Sequence, residues 1–385
     1  MKRTLLAMAA LLICAASAGG NAAAQPAVPA WSSSNVTVLE RWIGAAPLDA
    51  LPEISTAALQ QAVAGGDRAA IDAEASSVAL RLARMHLLGC ATAAERTGWH
   101  IVDTDRSIEL EPLLERALAN GTLETFFAMM RPSHPDYAAL KAAFLAENDE
   151  SRREAIARNM ERWRWLPRSL GEDYVFVNAA AFEARLWRGG ERAGTWRVIV
   201  GKKSTPTPTF ETTITGVILN PWWEIPASIV RESVGALFRR NPAYARQRGY
   251  VISGGRYRQR PGPNNALGQM KLAMPNRFSV FMHDTPNKQL FEEEVRAFSH
   301  GCIRTGNALD YAATLLDGVK TREEVDAIVE SGRTTTVDLA RPLPLYVTYF
   351  TVAVDDEGTV HFQPDIYGRD KRVKGARGSA SACGG

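Results

Sequence analysis

Cysteine and histidine are scarce in this sequence. The 385 residues include four cysteines and six histidines, and no Cys-x-x-Cys pair is present. Protein sites for zinc and similar metals draw on closely spaced ligands of these two types, so the sequence gives no support for a metal site, and we predict no cofactor. Four cysteines are also too few to hold a chain of this length together as a disulfide scaffold.

Strong net charge and long apolar runs are lacking as well. The formal net charge is +3, which is too small to indicate binding of nucleic acid. Beyond the first residues, no apolar stretch approaches the roughly 20 residues that a membrane-spanning helix needs. With 46% hydrophobic and 23% charged residues, the chain has the composition of a folded protein with more than one core.

Residues 1–24 have the pattern of an export signal. Lys2 and Arg3 supply a positive start, residues 5–13 form a short apolar run, and small residues follow. Cleavage is predicted after Ala18 or after Ala24, because small residues stand one and three positions before each site. We therefore expect an exported, periplasmic protein that has no membrane segment once the signal is removed.

Three cysteines remain after that cleavage, at positions 90, 302 and 383. An odd number leaves at least one thiol unpaired within the chain, and the polar neighbours of Cys302 make it the natural candidate. Cys90 either pairs with Cys383 in an oxidising compartment or is a core residue next to Leu87 and Leu88. The core position is the preferred interpretation.

The spacing of apolar residues divides the chain into two folded parts. A leader containing proline and serine is expected over residues 25–56, followed by a helical scaffold over 57–166, where alanine and leucine recur at helical spacing. From 167 to 370 the pattern changes to alternation, which is typical of strands. The fold class is therefore α+β. Residues 371–385 are predicted to be a disordered basic tail, with contact to an anionic wall or membrane as the alternative.

The alternating pattern locates individual elements in the second part. Two helices are predicted, at residues 308–316 and 321–332, the second opened by a capping box. Strands are predicted near residues 174–177, 182–186, 196–200, 214–219, 278–282, 345–354 and 359–362.

Residues 222–265, which we name the lid segment, interrupt the strands. An amphipathic stretch precedes a run flanked by glycines that carries three arginines, and the run includes Arg256, Tyr257 and Arg258. The segment is interpreted either as a packed helix with a solvated loop or as a lid whose arginines hold a substrate carboxylate. Trp222 and Trp223 at its start either belong to the core or form a wall of a cleft.

Residues 299–304, Ser-His-Gly-Cys-Ile-Arg, are the most informative stretch. Acyl transfer by a cysteine needs a thiolate, a base that takes its proton, and donors for the developing oxyanion. Cys302 supplies the sulfur, and Gly301 lets the chain bend so that amide N–H groups, including that of Cys302, face the oxyanion. A buried structural cysteine is the alternative, and the polar, flexible neighbours argue against it.

Two histidines compete for the role of the base. His300 lies two residues before Cys302, whereas His283 ends a predicted strand. Positioning substrate or stabilising charge is the more natural task for His300. Arg304 is expected to support the site, either by pairing with a carboxylate or by raising the local positive potential so that the thiol pKa falls. Ser299 is expected to stabilise the turn.

The motif extends well beyond these six residues. Residues 282–286, 290–291 and 296–304 resemble the active-site signature of L,D-transpeptidases with a YkuD catalytic domain, in particular their long periplasmic branch. Further similar segments are residues 159–167, 198–202, 220–226 and 365–370. Longer relatives carry an inserted peptidoglycan-binding module, for which there is no room between Tyr137 and Met160. The chain therefore resembles a compact form of the family.

The resemblance implies a fold, a reaction and a division of roles. It implies the YkuD β-sandwich with a capping subdomain, Cys302 as nucleophile, and His283 as general base oriented by the backbone carbonyl of Asp284. The implied substrates are peptidoglycan stem peptides. The sulfur attacks the diaminopimelate carbonyl of a donor tetrapeptide, D-alanine leaves, and an acceptor amine converts the thioester into a 3–3 cross-link. Acylation of Cys302 by carbapenems is also implied.

Alternative functions stay open at this point. Water as acceptor gives an L,D-carboxypeptidase, and a different amine gives exchange or protein anchoring; spacing in the sequence does not separate these. A non-catalytic wall-binding protein with a decayed site is the alternative from another class. The presence of Cys302, His283, His300 and Arg304 argues against it.

Overall fold

The N-terminal part of the described protein is helical. A computed structural model describes residues 30–374 and Cys383, so the predicted export signal lies outside the described residues. The helices of this part are α1 (Ser33–Ala45), α2 (Ala57–Gly65), α3 (Arg68–Leu88), α4 (Leu110–Asn120), α5 (Leu123–Ala128), α6 (Pro135–Ala146) and α7 (Glu150–Trp163). They pack around an apolar core in which Leu39, Leu82 and Phe127 are fully buried, which confirms the predicted helical scaffold.

The leader predicted over residues 25–56 is wrong where the structure describes it. Helix α1 fills much of that range and is capped by the Ser32 hydroxyl, which accepts from the Asn35 N–H at 3.1 Å. Trp31 just before the cap is buried, and its indole N–H donates to Ser76 of α3 at 2.9 Å. Ser32, one of the serines of the predicted leader, is the N-terminal cap of a packed helix.

Cys90 and Cys383 form a disulfide across a sequence separation of 293 residues. Cys90 is also 5% exposed in the scaffold core, so the preferred core position is right and its pairing, the less favoured alternative, is present as well. Among the described residues, Cys302 is the free cysteine.

The predicted disordered tail at 371–385 needs correction over its first residues. Asp370–Arg372 form a 3-10 turn, and Val373 after it is buried. Residue 383 is held by the disulfide, whereas residues 375–382 and 384–385 lie outside the described residues.

The second part of the protein is rich in strands. A short strand of the scaffold, β1 (Trp99–His100), adds to its main sheet at the edge of β5. The following strands are β2 (Tyr174–Asn178), β3 (Glu183–Arg188), β4 (Glu191–Gly201), β5 (Thr209–Leu219), β6 (Trp223–Glu224), β7 (Tyr250–Ser253), β8 (Arg256–Gln259), β9 (Met270–Ala273), β10 (Met282–His283), β11 (Ala297–Ser299), β12 (Ile303–Thr305), β13 (Thr335–Thr348), β14 (Val352–Val354) and β15 (Val360–Phe362). Its helices are α8 (Ala227–Ile229), α9 (Gly235–Arg240), α10 (Pro242–Gln247), α11 (Ala308–Leu315) and α12 (Arg322–Glu330). Within the described ranges, no helix has both the length and the apolar character needed to cross a bilayer.

Eight of these strands pair in a closed circuit. The order is β5, β13, β2, β3, β4, β12, β10 and β9, and β9 pairs with β5 again. Inward side chains such as Val177, Leu219 and Ile303 are fully buried in the core that the circuit encloses. A helical scaffold followed by a sheet-rich part confirms the α+β fold class.

The scaffold packs directly on this sheet. Trp163 at the end of α7 stacks on Phe176 of β2, with the two ring centroids 5.6 Å apart. Arg162 of the same helix pairs with Asp370 at 2.7 Å. Helices α6 and α7, β2, and the β14–β15 hairpin share a third apolar core. The boundary at residue 166 is therefore a packed interface.

Two predicted strands differ from the structure. The strand predicted at 278–282 is limited to β10, because Ser279 has a left-handed φ of 55° and Asn276 caps the preceding turn by accepting from the Phe278 and Val280 N–H groups. The strand predicted at 345–354 is divided, since β13 ends at Thr348 and the hairpin begins only with β14.

The lid segment folds as a small unit of its own. Strands β6, β8 and β7 form a three-stranded sheet in that order, so the predicted solvated loop is a hairpin that turns at Gly254 and Gly255. Helices α8 and α9 are joined by a π-helical turn at Val230–Val234. Phe238 of α9 packs edge-on against Tyr257 of β8, with ring centroids 5.5 Å apart.

Candidate active site

The polar residues of the site project from one face of three neighbouring strands. Lys271 on β9 is in register with His283 on β10, and His283 is in register with Arg304 on β12. Side chains alternate along a strand, so register partners share a face of the sheet. The alternate positions Met270, Leu272, Met282 and Ile303 are fully buried in the core. The sheet therefore carries a row of three basic residues on its outer face.

The His283 imidazole is held in one orientation. The residue is 5% exposed, and its Nδ1 lies 2.5 Å from the backbone carbonyl oxygen of Asp284. Because a carbonyl oxygen only accepts, Nδ1 donates and Nε2 presents its lone pair. The Asp284 carboxylate fixes this stretch of chain by accepting from the Gln269 N–H at 2.9 Å and by pairing with Lys288. The contact between His283 and the Asp284 carbonyl is the one that the resemblance implied.

Burial keeps this imidazole neutral. It lowers the pKa of His283 to about 4, although the hydrogen bond to the Asp284 carbonyl favours the protonated ring. The positive charges of Arg304 and Lys271 lower that pKa further. An imidazole with such a pKa accepts protons over the whole neutral range of pH.

The Cys302 thiol lies at the start of β12 and is partly exposed. Its Sγ lies 3.9 Å from the carbonyl oxygen of Ser279, and the Phe281 N–H donates to the sulfur. The left-handed backbone at Ser279 thus belongs to a turn that contacts the thiol. The pairing of β10 with β12 puts His283 on the strand beside it.

The expected lowering of the thiol pKa is wrong for this arrangement. Burial raises the pKa of Cys302, and the Phe281 N–H, Lys271 and Arg304 oppose the rise without reversing it. Since the pKa of His283 is about 4, the resting pair is a neutral thiol beside a neutral imidazole. Transfer of the proton must therefore accompany attack on a carbonyl, and nearby cations stabilise the charge as it develops.

The loop before Cys302 is held by side-chain hydroxyls. Ser299 Oγ accepts from the Gly301 N–H at 3.0 Å and donates to the Cys302 carbonyl, which matches its predicted place in the turn. Gly301 has a φ of 113°, which side chains rarely adopt, and Thr207 Oγ1 donates to its carbonyl at 2.9 Å. The Gly301 N–H is therefore engaged within the loop. The Cys302 N–H makes no hydrogen bond to the described residues and remains available for an oxyanion.

Arg304 and Lys271 are the two cations whose charges act on the Cys302 thiol. No carboxylate of the described residues lies within ion-pair distance of Arg304, so the carboxylate partner offered as one option for it is not found. The charge of Arg304 instead acts on Cys302. Burial lowers the pKa of Lys271 and Cys302 raises it, and the Lys271 ammonium lies 3.6 Å from the centre of the Phe281 ring. No local pattern indicated Lys271, because its place in the site depends on the pairing of β9 with β10.

His300 contacts the lid segment, and no hydrogen bond or ion pair joins it to His283 among the described residues. Its Nε2 lies 2.9 Å from a carboxylate oxygen of Glu232, in the π-helical turn, and 3.5 Å from Lys202 Nζ. Lys202 belongs to a segment that carried the family resemblance, but neither it nor Glu232 was predicted to have a role. The lid segment is thus in contact with the loop that carries Cys302.

The proposed substrate-binding residues of the lid segment are not brought to the thiol by any contact among the described residues. The Arg258 guanidinium pairs with Glu224 at 2.5 Å and stacks over Trp222 at 4.5 Å. Tyr257 packs on α9, whereas Arg256 at the hairpin tip is exposed. Trp222 and Trp223 are both partly exposed, which fits neither a fully buried core position nor a free surface.

These residues together define a cysteine site suited to acyl transfer. A partly exposed thiol, a neutral imidazole fixed by a backbone carbonyl, a free backbone N–H and two cations are the parts that addition of sulfur to a carbonyl requires. Among the described residues, no group of three or more His, Cys, Asp or Glu side chains is arranged to hold a metal ion.

Comparison with known protein families agrees with the site. Residues 172–327 match the family model described as the YkuD L,D-transpeptidase catalytic domain, and residues 23–144 match a Scaffold domain. The second part of the chain is therefore similar to the YkuD catalytic domain of L,D-transpeptidases. The Scaffold match begins before α1 and includes the whole of the leader predicted at residues 25–56.

Individual relatives are more distant. A protein of Haemophilus influenzae named "Putative L,D-transpeptidase" is 28% identical over 242 residues, which cover 57% of this chain and 49% of that protein. The chain thus matches about half the length of this curated relative. Among solved structures, L,D-transpeptidase from Mycobacterium smegmatis is 16% identical over 46% of this chain and 58% of its own, with a TM-score of 0.27. The complex of LdtMt1 with imipenem is 17% identical over 46% of this chain and 59% of its own, with a TM-score of 0.26.

Proposed function

We propose that this chain is a periplasmic L,D-transpeptidase that forms 3–3 cross-links between peptidoglycan stem peptides. The observation that carries the proposal is the His283 ring, which is neutral, fixed at Nδ1 by the Asp284 carbonyl and therefore free at Nε2 to accept the proton of the neighbouring thiol. The donor is a tetrapeptide stem ending in D-alanine, and the acceptor is the side-chain amine of a second stem. The export expected from the first 24 residues gives the compartment.

Acylation is the first half of the reaction. His283 Nε2 takes the Cys302 proton as Sγ adds to the diaminopimelate carbonyl carbon of the donor. The Cys302 N–H faces the oxygen that becomes negative, while Lys271 and Arg304 provide positive potential on the same face of the sheet. The C–N bond then breaks, the leaving nitrogen takes the proton from His283, and D-alanine departs. A thioester on Cys302 remains.

Deacylation reverses these roles with a different nucleophile. The amine of the acceptor stem attacks the thioester carbonyl, and the proton it loses passes through His283 to the departing sulfur. A new amide bond joins the two stems, and Cys302 returns to the thiol. Contact of Glu232 with His300 brings the lid segment over this loop, where it limits the access of water, which is the competing acceptor.

Purified disaccharide-tetrapeptide and mass spectrometry test the proposal. Wild-type protein is expected to release D-alanine and to form a cross-linked dimer, and Cys302→Ala is expected to do neither. D-alanine release without dimer would mean that water is the acceptor and would make the protein an L,D-carboxypeptidase. No change in the substrate, from a protein shown to be folded, would favour a wall-binding protein.

The thioester itself is a separate readout. Intact-mass measurement during turnover is expected to detect an increase equal to the donor stem minus D-alanine, and proteolysis is expected to map it to the peptide containing Cys302. His283→Gln, which keeps size and polarity but cannot accept the thiol proton, is expected to accumulate no adduct. An adduct at an equal rate in His283→Gln would refute its assignment as the base.

A further inference from the structure

The lid segment places one of its own carboxylates beside the reactive loop. Glu232 Oε2 lies 2.9 Å from His300 Nε2, and Glu232 Oε1 lies 3.9 Å from Lys202 Nζ. Lys202 Nζ and His300 Nε2 are themselves 3.5 Å apart. Two nitrogen groups from different elements thus converge on a single carboxylate.

The backbone sets the position of Lys202 relative to His300 independently of the lid segment. The Lys202 N–H donates to the Ser299 carbonyl at 2.9 Å, and Thr205 Oγ1 donates to the same carbonyl at 3.2 Å. Close packing requires glycine at 201, where an added Cβ would lie 2.1 Å from the Thr205 carbonyl oxygen. The backbones of Lys202 and His300 are therefore held side by side without any contribution from Glu232.

The contact with Glu232 is of a kind that exchanges easily. The side chains of Lys202, His300 and Glu232 are 40%, 39% and 52% exposed. Ion pairs between groups this exposed are weak, because water solvates the separated charges well. The other acidic residue of the lid segment, Glu224, is paired with Arg258. A carboxylate that enters with the substrate can thus replace Glu232 at little cost.

We propose that Lys202 and His300 form a subsite for the terminal carboxylate of the amino acid that leaves, and that Glu232 occupies this subsite when substrate is absent. The inference rests on the proposed function and identifies how its donor is recognised. The leaving carboxylate lies one residue beyond the attacked carbonyl, a distance of about 4 Å. His300 is two residues from Cys302, within about 7 Å along the chain. The terminal carboxylate of a bound donor is therefore within reach of Lys202 and His300.

The subsite distinguishes a free carboxylate from an amide. A carboxylate accepts hydrogen bonds from both nitrogen groups and cancels the charge of Lys202, whereas a neutral amide gives weaker contacts and competes poorly with Glu232. Donors that end in a free carboxylate are therefore preferred. Loss of Glu232 removes the competitor and is expected to favour these donors further.

The test compares a donor tetrapeptide that ends in D-alanine with the same peptide ending in D-alaninamide. The measured quantity is the ratio of kcat/KM for acid over amide, from release of D-alanine or D-alaninamide. In Lys202→Met this ratio is expected to fall about threefold to tenfold. In Glu232→Gln the KM for the acid is expected to fall about threefold. Lys203→Met, at the exposed neighbouring position, is the matched control and is expected to keep the wild-type ratio.

Two outcomes would overturn the subsite. One is an equal loss with both donors in Lys202→Met, which would mean a structural role. The other is a Glu232→Gln variant in which the KM for the acid rises, which would mean that the contact serves only to hold the lid segment in place.

A binding measurement separates failure of the subsite from failure of the proposed function. If wild-type protein releases nothing from either donor, the proposed function fails. Binding of acetate, a simple carboxylate, then tests the subsite without any reaction. The ring ¹⁵N signals of His300 are expected to shift saturably with acetate, at lower concentration in Glu232→Gln and at higher concentration in Lys202→Met. Identical shifts in all three proteins, or none, would overturn the subsite.

Discussion

His283 is expected to remain unprotonated, and so able to act as a base, at acidic pH values where an ordinary histidine is protonated. Burial holds the pKa of His283 at about 4, against 6.5 for a free imidazole. At pH 5.5 a ring with a pKa of 6.5 is about 90% protonated, whereas His283 is only about 3% protonated. If His283 is the base, kcat/KM for acylation should therefore change little between pH 7.5 and 5.5, while an unperturbed base would lose about tenfold.

Two measurements check the low pKa of His283. The rate of acylation at low substrate concentration, followed by intact mass from pH 4 to 8, reports the protonation of the free enzyme. NMR of ¹⁵N-histidine-labelled protein gives the titration of the ring directly, and His283→Gln assigns the signal. A titration midpoint near 6.5 for His283 would refute the reasoning. If kcat/KM instead falls tenfold between pH 7.5 and 5.5, and this fall is absent in a His300→Asn variant, then His300 is the base.

The low pKa of His283 also makes the folded protein less stable in acid. The unfolded imidazole takes up a proton below about pH 6.5, whereas the folded ring stays neutral down to about pH 4. The unfolded state thus binds more protons in this interval, so the free energy of unfolding falls as pH falls from 6.5 to 4. For His283 alone the loss reaches about 3 kcal/mol below pH 4. Chemical denaturation at pH 7 and 4.5 should find His283→Gln less sensitive to acid than wild type.

Four further predictions concern the thiol, its cations and the disulfide. Cys302→Ser is expected to keep the fold, as checked by circular dichroism. Its rate of D-alanine release is expected to fall more than about 100-fold, because a hydroxyl is a weaker nucleophile beside the same base. Retention of the wild-type rate would contradict Cys302 as nucleophile. Lys271→Met is expected to lower kcat with little change in KM, since the charge of Lys271 acts on the developing thiolate. Lys271→Arg keeps the charge and is expected to retain most of the wild-type kcat. A change in KM alone would contradict this role of Lys271. The double variant Cys90→Ala/Cys383→Ala is expected to lower the free energy of unfolding by about 2–5 kcal/mol in urea titration, and an unchanged midpoint would contradict a bond that constrains the unfolded chain. Imipenem is expected to add to the wild-type mass on the Cys302 peptide and not to the Cys302→Ala mass, and labelling elsewhere would contradict the assignment.

The residues that the sequence could identify are those whose neighbours in the chain are also their neighbours in space. Ser299, Gly301 and Cys302 act within one loop, so their hydrogen bonds follow from local spacing. His283 needs only the next residue, Asp284, to orient its ring. A motif of consecutive residues therefore carried most of the candidate site.

The residues that the sequence missed depend on distant parts of the chain. Lys271 faces the thiol only because β9 pairs with β10 in one register, and a shift by a single residue would turn it into the core. Glu232 reaches His300 across a separation of 68 residues. Helix α1 was missed for a different reason, since serine, the residue type of its N-cap, is also common in flexible segments. Local pattern does not encode contacts of these kinds.

For the pKa of the Cys302 thiol, the local sequence pattern predicted a shift in the wrong direction, and the cause bears on the mechanism. Arginine and histidine close in sequence indicated a thiolate, yet the sulfur lies where loss of solvent outweighs the charges of Lys271 and Arg304. The same burial lowers the pKa of His283, so both partners favour their neutral forms at rest. A neutral pair is inert until a carbonyl is placed against the sulfur, when the two cations and the Cys302 N–H stabilise the charge that forms. Such a site spends little time as a free thiolate, the form most open to oxidation, and acquires reactivity chiefly when substrate is bound.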